Sequence, residues 1–373
     1  MKVCTITFHQ AHNFGSALQT YALQETVKAI ANENGQALEY KIINFYPELQ
    51  EKLYDVFKPM NKPANIVKNL IALPHAPKLF EKHRKFDRFL KEHLDLTARY
   101  KTVEDLQADP PEADCYISGS DQIWNVRAHD FSPAYYYSFL PEYCRRVSYA
   151  ASLGPLKINW EKYDGNYYSK LLGKYAMISV REQGSEDNLK AISDVPCRVN
   201  VDPTALLSVD AWRKLQSDAN YRDGKYILLY CLEPSKEQLA MAKAISKKLK
   251  LPIVVLRYNN KNDMFNSFVK KYDAGPEDFL AYLDHAALVL SSSFHGTIFS
   301  LIYHKPFYSF HGMQDNRICA ILKATGMTER SLDCMEDIEK VSLQQPDGDV
   351  IEAALNLERA KSKKYLLEAL QLG

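Results

Sequence analysis

Several short clusters hold the residue types that chemistry needs. In "SSSFHGTIF" an apolar strand pattern, Leu288 to Leu290, runs into three serines, then His295 and Gly296, then an apolar helical pattern. A helix start exposes amide N–H groups and a partial positive charge. It is therefore a ready anion site. Ser292 and Ser293 would add hydroxyl donors, and Gly296 would let an anion approach the backbone. His295 would supply a proton near neutral pH. Together they describe a phosphate site with an acid beside it. The plainer reading is a histidine capping a structural turn.

Three further strand ends hold candidates. After the strand "DCYIS" comes "GSDQIWN", with Gly119, Ser120, Asp121, Gln122, Trp124 and Asn125 in one loop. An aromatic face beside amides and a carboxylate is a way to hold a sugar; an ordinary polar loop is the alternative. After "YAMISV" stands Arg181, a fixed cation for phosphate or carboxylate, or else a surface partner of Glu182 or Asp187. After the first strand, "HQAHNFGSALQ" places His9, His12, Asn13, Gly15 and Ser16 in a strand-to-helix turn. It reads equally as a capped turn and as a ligand-facing one. Neither GxGxxG nor GxxxxGK[ST] is present, which disfavours a dinucleotide fingerprint or a P-loop.

These residues need strands and helices to position them, and the chain alternates the two. Lys2 to Phe8 reads as a strand, "SALQTYALQETVKAIANENG" as a helix stopped at Gly35, and "LEYKIINF" as the next strand. This β-α-β order predicts a parallel sheet covered by helices. Further strands are expected at Asp114–Ser118, Arg145–Ala150, Ala176–Val180 and Cys197–Val201. Beyond "VDPTALLS" the alternation restarts with "KYILLYCLE", "LPIVVLR", "ALVLSSS" and "KPFYSF". With 373 residues, two domains are expected, 1–203 with a helical insert at about 51–100, and 204–373 ending in a long amphipathic helix placed to pack back on the first domain. The fold class is α/β, two Rossmann-like parallel-sheet domains facing a cleft.

Lys plus Arg is 47 and Asp plus Glu is 46, a balance that gives no reason to expect nucleic acid. Seven scattered cysteines without a CxxC pair read as reduced thiols of a cytosolic protein. No metal-ligand spacing stands out. The N-terminus reads as a strand, not a signal peptide. In "KLFEKHRKFDRFLKEHL" the basic residues Lys82, Arg84, Lys85 and Arg88 accompany a stripe of Phe80, Phe86, Phe89 and Leu90. That pattern suits a core helix or a peripheral contact with an anionic membrane.

The motifs "NFGSALQTYALQ", "DCYISGSDQIWN", "RRVSYAASLG", "ISVREQGS", "VDPTALLS", "GPEDFLAYLDHAALVLSSSFHGTIFSLIYHKPF" and "DNRICAILKATGM" stand in this order from about Asn13 to Met327. In order and spacing the chain resembles the polysaccharide pyruvyl transferase family. The resemblance implies a GT-B-like fold and a cytoplasmic bacterial enzyme of capsule, exopolysaccharide or cell-wall glycan synthesis. It implies transfer of the pyruvyl group of phosphoenolpyruvate, a co-substrate rather than a cofactor, onto two hydroxyls of a sugar or lipid-linked oligosaccharide. The products would be a pyruvate ketal and phosphate. The family's donor-site histidine falls on His295 and its arginine on Arg181, with Ser292, Ser293 and Gly296 beside the donor. The chain departs from well-studied members at Ser293–Phe294, where they have Arg-Leu, so Arg317 or Lys305 is expected to supply the missing charge. Asp121 is the candidate for orienting or deprotonating an acceptor hydroxyl, with Asn13, Gly15, Ser120, Gln122, Trp124 and Asn125 around the acceptor. A nucleotide-sugar glycosyltransferase and a non-catalytic glycan-binding homologue are the alternatives.

Overall fold

The run Lys2–Ile6 (β1) is rich in β-branched residues, buries all but Lys2, and pairs with a strand on each side, as a central parallel strand does. In the computed structural model, which describes residues 1–257 and 266–372, its sheet also contains Glu39–Phe45 (β2), Leu96–Tyr100 (β3), Cys115–Ser118 (β4) and Arg146–Ser148 (β5). The order is β3-β2-β1-β4-β5, parallel throughout. A short sheet of Ile178–Val180 (β6) and Cys197–Val199 (β7) continues from β5 through the bridges Val147–Met177 and Ala151–Val180. The helix Phe14–Glu33 joins β1 to β2, and Asn13 caps it by accepting the amides of Gly15 at 2.9 Å and Ser16 at 3.4 Å.

This sheet lies in a unit made of Met1–Asp55, Leu90–Leu207 and Leu357–Gly373. The last turns of the helix Gly348–Leu370 are fastened there by polar contacts. Arg359 Nε donates to Ala205 O at 2.5 Å, Tyr365 Oη to Ser148 O at 2.8 Å, and Val201 N to Ser362 Oγ at 3.1 Å.

The other unit comprises Val56–Phe89 and Ser208–Asn356. Its strands are Ile227–Tyr230 (β8), Ile253–Val255 (β9), Val269–Lys270 (β10), Leu288–Ser291 (β11), Phe307–Phe310 (β12) and Ser331–Leu332 (β13). They form a parallel sheet in the order β10-β9-β8-β11-β12-β13. One face packs Leu229, Leu290 and Phe310 against Leu239, Ala242 and Ile245 of the helix Lys236–Leu249.

Both sheets thus build outward from a central strand in one direction and then return to build in the other. The reversal falls between β1 and β4 in one unit and between β8 and β11 in the other. Loops leaving neighbouring strands part there, and ligands of open parallel sheets sit at that point, outside the carboxyl ends.

The basic helix read as either a core helix or a membrane contact is Ala76–His93. Most of its stripe is core: Phe86, Phe89 and Leu90 are 1%, 0% and 4% exposed, while Phe80 is exposed. Two of its cations are engaged within the second unit, Lys85 with Asp278 at 2.6 Å and Arg88 with Glu277 at 3.7 Å.

Candidate active site

In the first unit the strand ends converge on Asp121. Gly119 makes this possible: its φ is +129°, and a Cβ there would run into the Tyr149 carbonyl, so β4 can leave the sheet beside β5 only with glycine. Asp121 follows at φ 75°, turning its carboxylate to the β1 side of the reversal. There Ser16, from the start of the helix Phe14–Glu33, donates Oγ to Asp121 Oδ2 at 2.5 Å, and Gln122 N donates to Oδ1 at 2.8 Å.

Arg181, leaving β6, lies behind this carboxylate. Its side chain is 1% exposed. Its guanidinium lies 2.8 Å from Asp202, 3.5 Å from Glu182 and 3.9 Å from Asp121. Burial alone would lower its pKa; the three carboxylates, Asp202 foremost, outweigh burial and raise it. The carboxylates are themselves held. Asp202 Oδ1 accepts from Thr204 N at 3.0 Å and Oγ1 at 2.7 Å, while Glu182 Oε1 accepts from Ser152 Oγ at 2.8 Å and from Ser185 Oγ. Expected as a cation for a substrate anion, Arg181 instead has carboxylates as its neighbours. In this arrangement it is a buried cation surrounded by three carboxylates, one of them Asp121.

The acceptor candidates divide. Trp124, expected to offer a ring face, is 0% exposed. It stacks on Tyr136 at 4.8 Å and donates Nε1 to Ser118 Oγ and Tyr135 O, both at 3.0 Å. It is a core residue, because the 119–136 segment folds inward over a cluster of aromatic side chains. Ser120 is also fully buried, its Oγ donating to Ala150 O at 2.6 Å. Asn13 and Gly15 form the helix cap. Gln122 and Asn125 remain half-buried and hydrogen-bonded to each other at 3.3 Å. The half-buried aromatic pair near the β1 end is His12 on Tyr54, stacked at 5.0 Å. Tyr54 lies in the insert and had no strand-end position to draw notice. His9 is buried, which holds its pKa down, and it contacts Asn44 Oδ1 at 3.1 Å.

Trp124→Phe should therefore lower stability by about 2 kcal/mol, since Ser118 Oγ and Tyr135 O both lose the indole donor and Tyr135 O keeps only the Ser118 hydroxyl, while leaving the KM for a sugar unchanged. Denaturant unfolding and acceptor kinetics check the two halves. An intact fold with a tenfold higher acceptor KM would return Trp124 to the substrate.

In the second unit the reversal brings together the ends of β8 and β11. Ser291, the last residue of β11, donates Oγ to Tyr230 O at 2.9 Å and accepts Ser293 N at 2.9 Å. Ser293 occupies the N-cap position of the helix Phe294–Ile302, without a side-chain capping bond. His295 lies in the first turn, 7% exposed, its ring edge-on to Phe294 at 5.4 Å. Gly296 has a packing role: a Cβ would meet the Ser291 hydroxyl and the Tyr230 ring, so glycine lets the helix start sit directly on β8 and β11. Ser292 is half-buried and lies near the thiol of Cys231, which follows β8.

The two cations expected to replace the family's arginine fare differently from that expectation. Lys305 lies past the far end of the helix and donates Nζ to Asp284 O at 2.6 Å. Arg317 makes a fork with Asp315, Nε to Oδ1 at 3.0 Å and Nη2 to Oδ2 at 2.6 Å. Burial pushes the Asp315 carboxyl up, and Arg317 with the Arg317 and Ile318 amides brings it below its usual value. A third cation went unnoticed in the sequence. Arg257 follows β9, next to β8, and its charge reaches the Cys231 thiol. Burial raises that thiol to about 11 against the opposing pull of Ser292 and Arg257. The signal was available: "LPIVVLR" ends a strand on an arginine.

The family model for polysaccharide pyruvyl transferases matches residues 13–310. No curated protein matches the chain. Among solved structures the chain is similar to the UDP-N-acetylglucosamine 2-epimerase of Rickettsia bellii, with a TM-score of 0.52 and 11% identity over 100% of this chain and 96% of that one. It is also similar to the UDP-GlcNAc 2-epimerase of Neisseria meningitidis bound to UDP-GlcNAc, at 0.51 and 13% over 100% of both chains. A glycosyltransferase of avilamycin A biosynthesis gives 0.51 and 12% over 100% and 98%. At such identities the likeness is one of fold, a GT-B-like fold with parallel sheets, and fold does not choose the chemistry.

Proposed function

The chain belongs to the polysaccharide pyruvyl transferase family, and from that premise we propose that it moves the pyruvyl group of phosphoenolpyruvate onto two hydroxyls of a sugar, in a bacterial surface polysaccharide or its lipid-linked precursor. The observation that carries this reading is His295, buried in the first turn of a helix that starts at the strand reversal of its sheet. An acid and an anion-binding helix start are adjacent there, which suits a donor bearing both a phosphate and a carboxylate.

The reaction is an addition followed by a substitution. His295 delivers a proton to C3 of the enol, which makes C2 electrophilic. The first sugar hydroxyl bonds to C2 and loses its proton. The C2–O bond to phosphate breaks, the second hydroxyl bonds to C2 with loss of its proton, and the ketal closes. Asp121, oriented by Ser16, the Gln122 amide and Arg181, is assigned to an acceptor hydroxyl. Arg257 is assigned to the donor, in the role that Ser293 cannot fill for want of charge. Arg181 acts through Asp121.

Two measurements test this. Phosphoenolpyruvate should raise the thermal midpoint, as any ligand of the native state does, and UDP-, GDP- and CMP-sugars should leave it unmoved; the reverse pattern makes the protein a nucleotide-sugar enzyme. Arg257→Gln should raise the KM for phosphoenolpyruvate by about 10- to 100-fold, the worth of one charged hydrogen bond, with a smaller change in kcat. An unchanged KM would place the donor charge elsewhere.

A further inference from the structure

From Val56 to Phe80 the chain holds no aspartate or glutamate, although these make up 46 of its 373 residues. The same stretch carries Lys58, Lys62, Lys68 and Lys78. Its middle forms the helix Pro63–Ala72, and that helix is turned the opposite way from an ordinary surface helix. Its asparagines face the protein's own loop. Asn69 Nδ2 donates to Lys58 O and Asn69 Oδ1 accepts Lys58 N, each at 2.8 Å, and Asn65 Nδ2 donates to Pro59 O at 2.8 Å. Ala72 is the buried residue of this helix.

At about 100° per residue, Asn65, Asn69 and Ala72 share one face. Ile66, Val67, Leu70 and Ile71 share the opposite one. These four are exposed by 43%, 56%, 64% and 42%, and Met60 and Leu73 by 76% and 59%. Phe57 and Phe80, edge to face at 6.0 Å, bracket the segment and are also exposed. So many exposed apolar side chains on one segment mark an interaction surface. The flanking charge says which kind. Lys62 and Lys68 are exposed beside the apolar arc with no acidic residue in the segment. A symmetric pairing of two copies through this face would set lysines against lysines, whereas an anionic surface meets them with opposite charge.

We propose that Val56–Phe80 is an interfacial anchor that docks the protein on an anionic phospholipid bilayer. The arc of Ile66, Val67, Leu70 and Ile71 enters the boundary between headgroups and acyl chains, and the lysines face the phosphates. The helix, of 10 residues, lies on the surface, since a span needs about 20. The anchor is independent of the donor and acceptor readings, because none of its residues is assigned to them.

The test is co-sedimentation of the full chain with phosphatidylcholine vesicles, with and without phosphatidylglycerol. The wild type should bind only the mixed vesicles and dissociate at high salt, as screening requires. Val67→Ser with Leu70→Ser, and separately Lys62→Gln with Lys68→Gln, should each weaken binding about tenfold or more, with unchanged unfolding and unchanged turnover on a lipid-free acceptor. Wild-type protein that ignores mixed vesicles, or variants that bind as the wild type does, would overturn the anchor. So would a wild-type dimer that V67S/L70S converts to monomer, since a second copy would then cover the face.

Discussion

His295→Gln is expected to lower turnover by about 100- to 10,000-fold, the range for loss of a general acid, while the KM for phosphoenolpyruvate changes far less. Glutamine keeps the size and a hydrogen-bonding tip but cannot deliver the proton. Other contacts also hold the helix start in place. Ser291 ties the helix start to β8, and Gly296 allows the close approach. Unfolding midpoints should therefore match the wild type. Release of phosphate at near wild-type rate by His295→Gln would remove the histidine from the chemistry and leave it a packing residue.

Arg181→Leu is expected to destabilise the first unit by about 3 to 5 kcal/mol, the cost of leaving buried charges without their partner. Asp202, Glu182 and Asp121 would then face one another around an apolar side chain. Arg181→Lys keeps the charge and loses the planar fork, so it should fold, with a smaller loss of stability and a lower kcat as Asp121 loses its support. Urea unfolding of both variants checks the first claim, and kinetics of the lysine variant the second. If Arg181→Leu unfolds like the wild type but raises the KM for phosphoenolpyruvate tenfold, the guanidinium binds donor and the carboxylates are secondary.

The parallel sheets were legible because their strands are buried on both faces. "VCTI", "ILLY" and "LVLS" are continuous apolar runs, and helices of regular period stand between them. Leu96–Tyr100 was passed over for a physical reason. It is an edge strand whose middle residues face solvent, so it lacks the apolar run that marks its neighbours. Val269–Lys270 and Ser331–Leu332 are too short to carry a period.

Side-chain directions at the strand ends did not follow from residue type. Trp124 and Ser120 sit among polar neighbours in the chain yet point into the core. Asp121, between them, turns through its positive φ toward Ser16 and is itself 7% exposed. Arg181 was legible as a cation after a strand. Its partner Asp202 lies 21 residues on, and nothing local connects them. The helix Pro63–Ala72 was not read from the sequence, and its asparagine contacts with Lys58 and Pro59 and the exposure of its apolar residues show which face is turned out.

The central claim, that phosphoenolpyruvate is the donor, is tested most directly by following phosphoenolpyruvate labelled with carbon-13 at C2 by carbon and phosphorus NMR, with the purified protein and a panel of bacterial surface glycans. The account predicts inorganic phosphate and a ketal carbon on the glycan appearing together in equal amounts, with both signals lost in His295→Gln. Phosphoenolpyruvate that stays intact while a nucleotide-sugar is consumed by the same protein would contradict it.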